Sequence, residues 1–172
     1  PELRRLRLHE GEIHVQTAAD ARRGFVVETA AARLRALGTR FNVRLQQQAL
    51  QLAVFEGAVE VRTAGLVSVV EAGQQLRVDA AGFGPTQLAD PGTDAWIRGI
   101  LMADQMPLAE LVAELSRYRP GHLGVAPEIV ALPVAGVFPL RDPDAALAML
   151  ERSLPVRVSR SLPWWTTLEP RH

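Results

Sequence analysis

The sequence predicts a mainly β chain with a small α+β region at its end. A β-sandwich or jelly-roll-like domain is expected over residues 1–90, and a small doubled β-α-β domain over residues 95–172. Three observations carry this reading. Apolar residues recur with period two up to Asp90, a polar turn Asp90-Pro91-Gly92 follows, and beyond it the apolar period lengthens to about 3.6 in two segments.

In the first region Ile13 and Val15 alternate with Glu12, His14 and Gln16. Leu34 and Ala36 alternate with Arg33 and Arg35, and Phe41, Val43 and Leu45 with Arg40, Asn42 and Arg44; Leu50, Leu52 and Val54 continue the theme. Alternation of this kind sets one face of a strand on a core and the other in water, so the arginines read as a solvated face. The parity of the inward residues changes across Leu37 and Gly38. A strand crossing such a change needs a bulge or a tight bend, which glycine permits. A short repeat links His9-Glu10-Gly11-Glu12-Ile13-His14-Val15-Gln16-Thr17 to Phe55-Glu56-Gly57-Ala58-Val59-Glu60-Val61-Arg62-Thr63, with a looser copy at Glu71-Ala72-Gly73, Leu76 and Val78. Each copy is a glycine turn feeding an alternating strand, so stacked strands are expected.

In the second region Leu108, Leu111, Val112 and Leu115, with Tyr118 after them, line one face of a helix opened by Pro107 at its first position. Asp142 caps a second helix with Pro143 next, and Leu147, Leu150 and Leu154 point inward. Strand-like runs at 99–102 and 134–138 precede the helices, and runs at 122–125 and 156–159 follow them. Residues 164–168 can add a last strand.

Composition narrows the function. With 172 residues, 48% of them hydrophobic, the chain can bury a core without staples. The 19 basic residues are all arginine and are interspersed with 19 acidic ones for a net charge of zero. That leaves no basic stripe for nucleic acid and no polybasic run for an anionic membrane. Zero cysteines exclude disulfides and thiolate metal sites. No apolar run approaches the roughly 18 residues of a membrane helix, since the nearest, 129–140, is broken by Pro133 and Pro139. The arginines near Pro1 lack a following apolar stretch and are not a signal peptide. The chain opens directly on strand-like sequence and reads as an excised fragment.

Conventional chemistry is hard to find. His9 and His14 with Glu10 and Glu12 have the wrong spacing for a metal site: His14 shares the outward parity of Glu12, and His9 lies across a glycine turn. No cofactor motif stands out, because Gly82-Phe83-Gly84-Pro85 leads into loop and not helix, and no serine sits in a nucleophile elbow. Gly38-Thr39 remains. It is either a plain β-bulge or a site where a hydroxyl beside a bent glycine attacks the preceding carbonyl. Near the chain end, Trp164 and Trp165 would face opposite sides of a strand. One could then enter the core and the other serve as a partner-binding anchor, or both could be buried. Phe138 is a weaker partner-binding candidate, because Pro139 marks the end of its strand.

Several segments in order resemble the FecR domain of iron-uptake anti-sigma regulators: Gly24-Phe25-Val26-Val27-Glu28-Thr29, Leu37-Gly38-Thr39-Arg40-Phe41-Asn42-Val43, Val54-Phe55-Glu56-Gly57-Ala58-Val59-Glu60-Val61 and Glu71-Ala72-Gly73-Gln74-Gln75-Leu76. The likeness continues through Trp96, Gly99-Ile100-Leu101, Pro107-Leu108 and Glu114-Leu115-Ser116-Arg117-Tyr118. Gly136-Val137-Phe138 and the second helix resemble the secretin/TonB short N-terminal-type signalling domain of the same proteins. The family pattern begins earlier than this chain, so the first sheet is expected to be incomplete at its start.

The resemblance implies a periplasmic relay on the inner membrane of a Gram-negative bacterium. Its partner would be the signalling domain of a TonB-dependent siderophore receptor, and its output an extracytoplasmic-function sigma factor. The membrane helix and the sigma-binding segment would lie outside this chain. It also implies a single-turnover self-cleavage by an N-to-O acyl shift, with Thr39 as nucleophile and the Gly38 carbonyl as target, in a protein that is otherwise no enzyme and needs no cofactor. Two other classes stay open: a cell-envelope or secretion scaffold, and a carbohydrate-binding or degraded jelly-roll enzyme.

Overall fold

The computed structural model describes residues 3–18, 24–36, 38–63 and 65–171. Contacts gather the chain into two compact units, Pro1–Asp94 and Ala95–His172.

In the first unit the period-two segments are strands: β1 (Arg4–Arg7), β2 (Gly11–Gln16), β3 (Phe25–Glu28), β4 (Arg33–Ala36), β5 (Arg40–Gln46), β6 (Ala49–Glu56), β7 (Ala58–Thr63), β8 (Leu66–Glu71), β9 (Gln74–Asp79), β10 (Gly82–Phe83) and β11 (Gln87–Leu88). One sheet runs β1-β3-β4-β7-β8 and the other β10-β9-β6-β5-β2, with β11 also on β9. Both contribute to one core, in which Val27, Leu34 and Val61 of the first sheet and Val43, Leu52 and Val78 of the second are 0% exposed. This is the expected two-layer β architecture, and no helix of more than three turns interrupts it among the described residues.

Polar parity places Arg5, Arg7, Arg33, Arg35 and Arg62 on the outer face of the first sheet, as the alternation requires. Glu28 draws in Arg5, Arg7 and Arg33 at 3.4, 3.6 and 3.9 Å, and Arg62 meets Glu60 at 2.7 Å. That bond to Arg62 holds the Glu60 carboxyl below its usual range.

One expectation needs correcting and another is narrowed. The repeat copies are not stacked neighbours: β2 and β9 lie in one sheet with β5 and β6 between them, and β7 lies in the other. The glycine turns themselves are there, with Gly11, Gly57 and Gly73 at φ +89°, +74° and +81°. What repeats is therefore a local turn-and-strand grammar, which does not specify pairing. Of the two readings of the parity change at Gly38, a bulge or a tight bend, the structure takes the bend. It is the corner where the chain leaves β4 in one sheet for β5 in the other, and Gly38 takes it at φ +67°. A register shift follows at Arg40/Phe41 of the β5–β6 ladder. Leu37, on the other side of the corner, lies outside the described residues.

The second unit contains β12 (Ile100–Pro107), α1 (Leu108–Ser116), β13 (His122–Val125), β14 (Pro133–Pro139), α2 (Pro143–Ser153), β15 (Val156–Leu162) and β16 (Trp165–Pro170). Each helix lies between two strands in sequence, but the two halves interlock. β12 pairs with β14, whereas β13 and β15 flank β16. Leu108, Leu111, Leu115, Leu147 and Leu150 share one core at 0% exposure.

Pro107 is not the first helical residue. It closes β12 opposite Pro133, with φ −57° and ψ 138°, because proline's fixed φ suits a strand end as well as a helix start. Tyr118 falls beyond α1 and is 37% exposed, so it does not extend the buried stripe.

Candidate functional site

The site begins with a corner. Gly38 turns the chain between sheets, and Thr39 is carried inward to 2% exposure. The Thr39 hydroxyl is buried without a hydrogen-bond partner among the described residues. A buried hydroxyl left unpaired costs about 1–3 kcal/mol, so this placement needs a reason beyond packing.

Two segments press on the Gly38–Thr39 unit. From the end of β2, the Thr17 amide donates to the Thr39 carbonyl at 2.9 Å. The Thr39 amide in turn donates to the Thr17 hydroxyl at 3.0 Å, and that hydroxyl also reaches the Thr39 carbonyl oxygen at 3.4 Å. From the β6–β7 turn comes Gly57, where a Cβ would stand 2.5 Å from the Gly38 carbonyl oxygen and 2.8 Å from Thr39 Cγ2. Only a residue without a side chain fits there, and the positive φ of Gly57 reinforces the choice. Sequence reasoning singled out Gly38 and Thr39 but missed Thr17 and Gly57 as their neighbours. Both lie in the repeat, as the last residue of one copy and the glycine of the other.

Histidine plays no such part. His14 Nδ1 lies 2.6 Å from Asn42 Oδ1, and Asn42 Nδ2 donates to the Thr93 carbonyl at 2.9 Å. This ties the segment after β11 to β5. Among the described residues no three His, Asp or Glu side chains gather into a metal-binding group.

The aromatic residues at the chain end behave differently from both alternatives. Trp164 sits in the turn before β16 and Trp165 at its first position. They are 60% and 45% exposed, so neither enters the core. The alternation rule fails because Trp164 is not in the strand. Trp165 stacks on His122 with ring centroids 3.9 Å apart, and Leu162, its partner across the hairpin, is 48% exposed. Phe138 is 2% exposed within the second core, which removes it from any exposed docking surface.

Residues 2–60 match the family model described as FecR protein. This stretch is similar to FecR proteins. The FecR match runs from the first strand into β7 and contains Thr17, Gly38, Thr39 and Gly57, all four residues of the corner. Two crystal structures of a candidate anti-sigma factor from Parabacteroides distasonis ATCC 8503 share the fold. One has a TM-score of 0.77 at 22% identity, covering 99% of this chain and 81% of that one. The other has a TM-score of 0.75, again at 22% identity, covering 96% and 81%. The FecR-like chain has no match among curated proteins.

Proposed function

We propose that this chain is the periplasmic signal-relay region of a FecR-type transmembrane anti-sigma regulator. Its second unit would be a secretin/TonB short N-terminal-type domain that binds the signalling domain of a TonB-dependent siderophore receptor. Its output would be control of an extracytoplasmic-function sigma factor, through a membrane helix and a cytoplasmic segment outside these residues. The observation that carries this reading is the FecR match over residues 2–60, in a chain whose fold is shared over 99% of its length with a candidate anti-sigma factor. No helix among the described residues is long and apolar enough to cross a membrane.

Docking is assigned to the end of the second unit. Trp164, Trp165 and Leu162 leave apolar surface exposed at one hairpin, beside β15, an edge strand of its sheet. Edge strands can accept a partner strand, and tryptophans are favoured interface anchors. Titration with the purified signalling domain of a TonB-dependent receptor from the same organism tests this. Trp165→Ala should weaken binding by about 2 kcal/mol or more, with the thermal midpoint nearly unchanged. Unchanged affinity in a folded variant would reject the hairpin as the docking site.

The same reading includes self-cleavage at Gly38–Thr39. The unpartnered Thr39 hydroxyl and the positive φ of Gly38 support it. Wild-type chain made in cell-free translation should give two bands on a denaturing gel and Thr39→Ala one. Two bands from the alanine variant would indicate an outside protease.

A further inference from the structure

We infer that Thr17 is a proton-relay residue for breakage of the Gly38–Thr39 bond. The inference rests on the self-cleavage reading above and concerns the step that decides whether attack by Thr39 leads anywhere.

When Thr39 Oγ1 adds to the Gly38 carbonyl carbon, the adduct can collapse in two ways. Expelling oxygen restores the peptide. Expelling the Thr39 nitrogen gives an ester between Gly38 and Thr39 Oγ1, which water then hydrolyses to a Gly38 carboxylate and a free Thr39 hydroxyl. Nitrogen is the poorer leaving group until it carries an extra proton, so proton delivery to that atom sets the direction. The proton leaving Thr39 Oγ1 passes to the Thr17 hydroxyl as that hydroxyl gives its own to Thr39 N, so none is consumed overall.

While the peptide is intact Thr39 is 2% exposed, which leaves bulk water little access to that nitrogen before the bond breaks. The group already on it is the Thr17 hydroxyl, accepting the Thr39 N–H at 3.0 Å. A hydroxyl has one donor and two lone pairs, so it can pass on its own proton while taking up another. The bond it now donates, to the Thr39 carbonyl at 3.4 Å, is long and cheap to release. The Thr17 backbone amide grips the same carbonyl at 2.9 Å, so the side chain is held in register while its hydroxyl turns. In a regular antiparallel pair the two residues exchange both backbone bonds. Here the Thr39 amide goes to a side chain instead, at the peptide bond where a mobile proton is useful. Gly57 completes the arrangement by closing over the Gly38 carbonyl, where a Cβ would stand 2.5 Å from its oxygen.

The test follows cleavage of freshly translated chain over time in wild type, Thr17→Val, Thr17→Ser and Thr39→Ala, with and without hydroxylamine, which cuts an ester once it has formed. Valine keeps the shape of threonine and removes the hydroxyl; serine keeps the hydroxyl. Thr17→Val should slow cleavage about 100-fold, the low end of what a positioned acid–base group supplies. Hydroxylamine should not rescue it, because the ester is not reached. Thr17→Ser should stay within a few-fold of wild type. Wild-type speed in Thr17→Val, equal loss in serine and valine variants, or full rescue of Thr17→Val by hydroxylamine would each overturn the role of Thr17, while an uncut Thr39→Ala leaves the self-cleavage reading standing. A cut Thr39→Ala would defeat that reading itself. The serine variant keeps the test decisive even if Thr17→Val does not fold.

Discussion

Thr39 and Gly57 show how much a single atom decides at the corner between the sheets. The Thr39 hydroxyl is buried and unpaired, so exchanging it for a methyl removes a desolvation cost and keeps the shape. Thr39→Val is expected to stabilise the first unit by about 1 kcal/mol in urea unfolding; a loss of similar size would mean that the hydroxyl has a partner in solution. Gly57→Ala should act in the opposite sense. It combines a positive φ with a Cβ 2.5 Å from the Gly38 oxygen, and a penalty of at least about 2 kcal/mol is expected from the same measurement. A corner that stores an unpaired hydroxyl and admits no side chain opposite is less stable than it could be, which fits the self-cleavage proposed for this bond. The sequence made Gly38 and Thr39 visible through parity. It left Thr17 and Gly57 unassigned because each lies far along the chain from the bond it touches.

At the level of elements, the two helices end their backbone needs in different ways. Asp142 caps α2 by local chemistry, its Oδ1 accepting from the Ala145 amide at 2.9 Å with Pro143 following. This was legible in the sequence, because a cap and its helix are neighbours. Asp142→Ala should cost about 1 kcal/mol, read as a lower thermal midpoint of the second unit. α1 has no side-chain cap. Its first amides, Leu108 and Ala109, donate to the carbonyls of Leu132 and Val130 at 2.8 and 3.0 Å. Those carbonyls belong to the segment before β14, so the cap is tertiary and no local motif announces it. This is also why Pro107 could close a strand and still precede a helix.

Over the whole molecule, burial is organised around two cores, one in each compact unit. The second gathers Leu108, Leu111, Val112 and Leu115 of α1, Ala146, Leu147 and Leu150 of α2, and Val134, Phe138, Val156 and Leu168 of the strands. A core drawn from both helices and both small sheets can support its own fold. Residues 95–172 made alone are expected to melt cooperatively and to show a dispersed amide spectrum. A gradual melt would mean that this core needs the first unit to close.

Periodicity was sufficient for the mainly β and α+β classes, for the change of pattern near Asp90 and for most of the inward residues, because the face a side chain takes is set by its own strand or helix. The order of motifs was sufficient for the FecR resemblance. Partnership is a different matter. A period of two says which side of a strand is apolar and nothing about which strand lies beside it, so the separation of the repeat copies and the interlocking of β12 with β14 and of β13 with β16 had to come from tertiary structure. Exposure of both tryptophans depended on where the last turn ended. The meeting of Thr17 with Thr39 depended on closing β2 against β5 across 22 residues. Local preference chooses the face a residue shows; only closure of the chain chooses what that face meets.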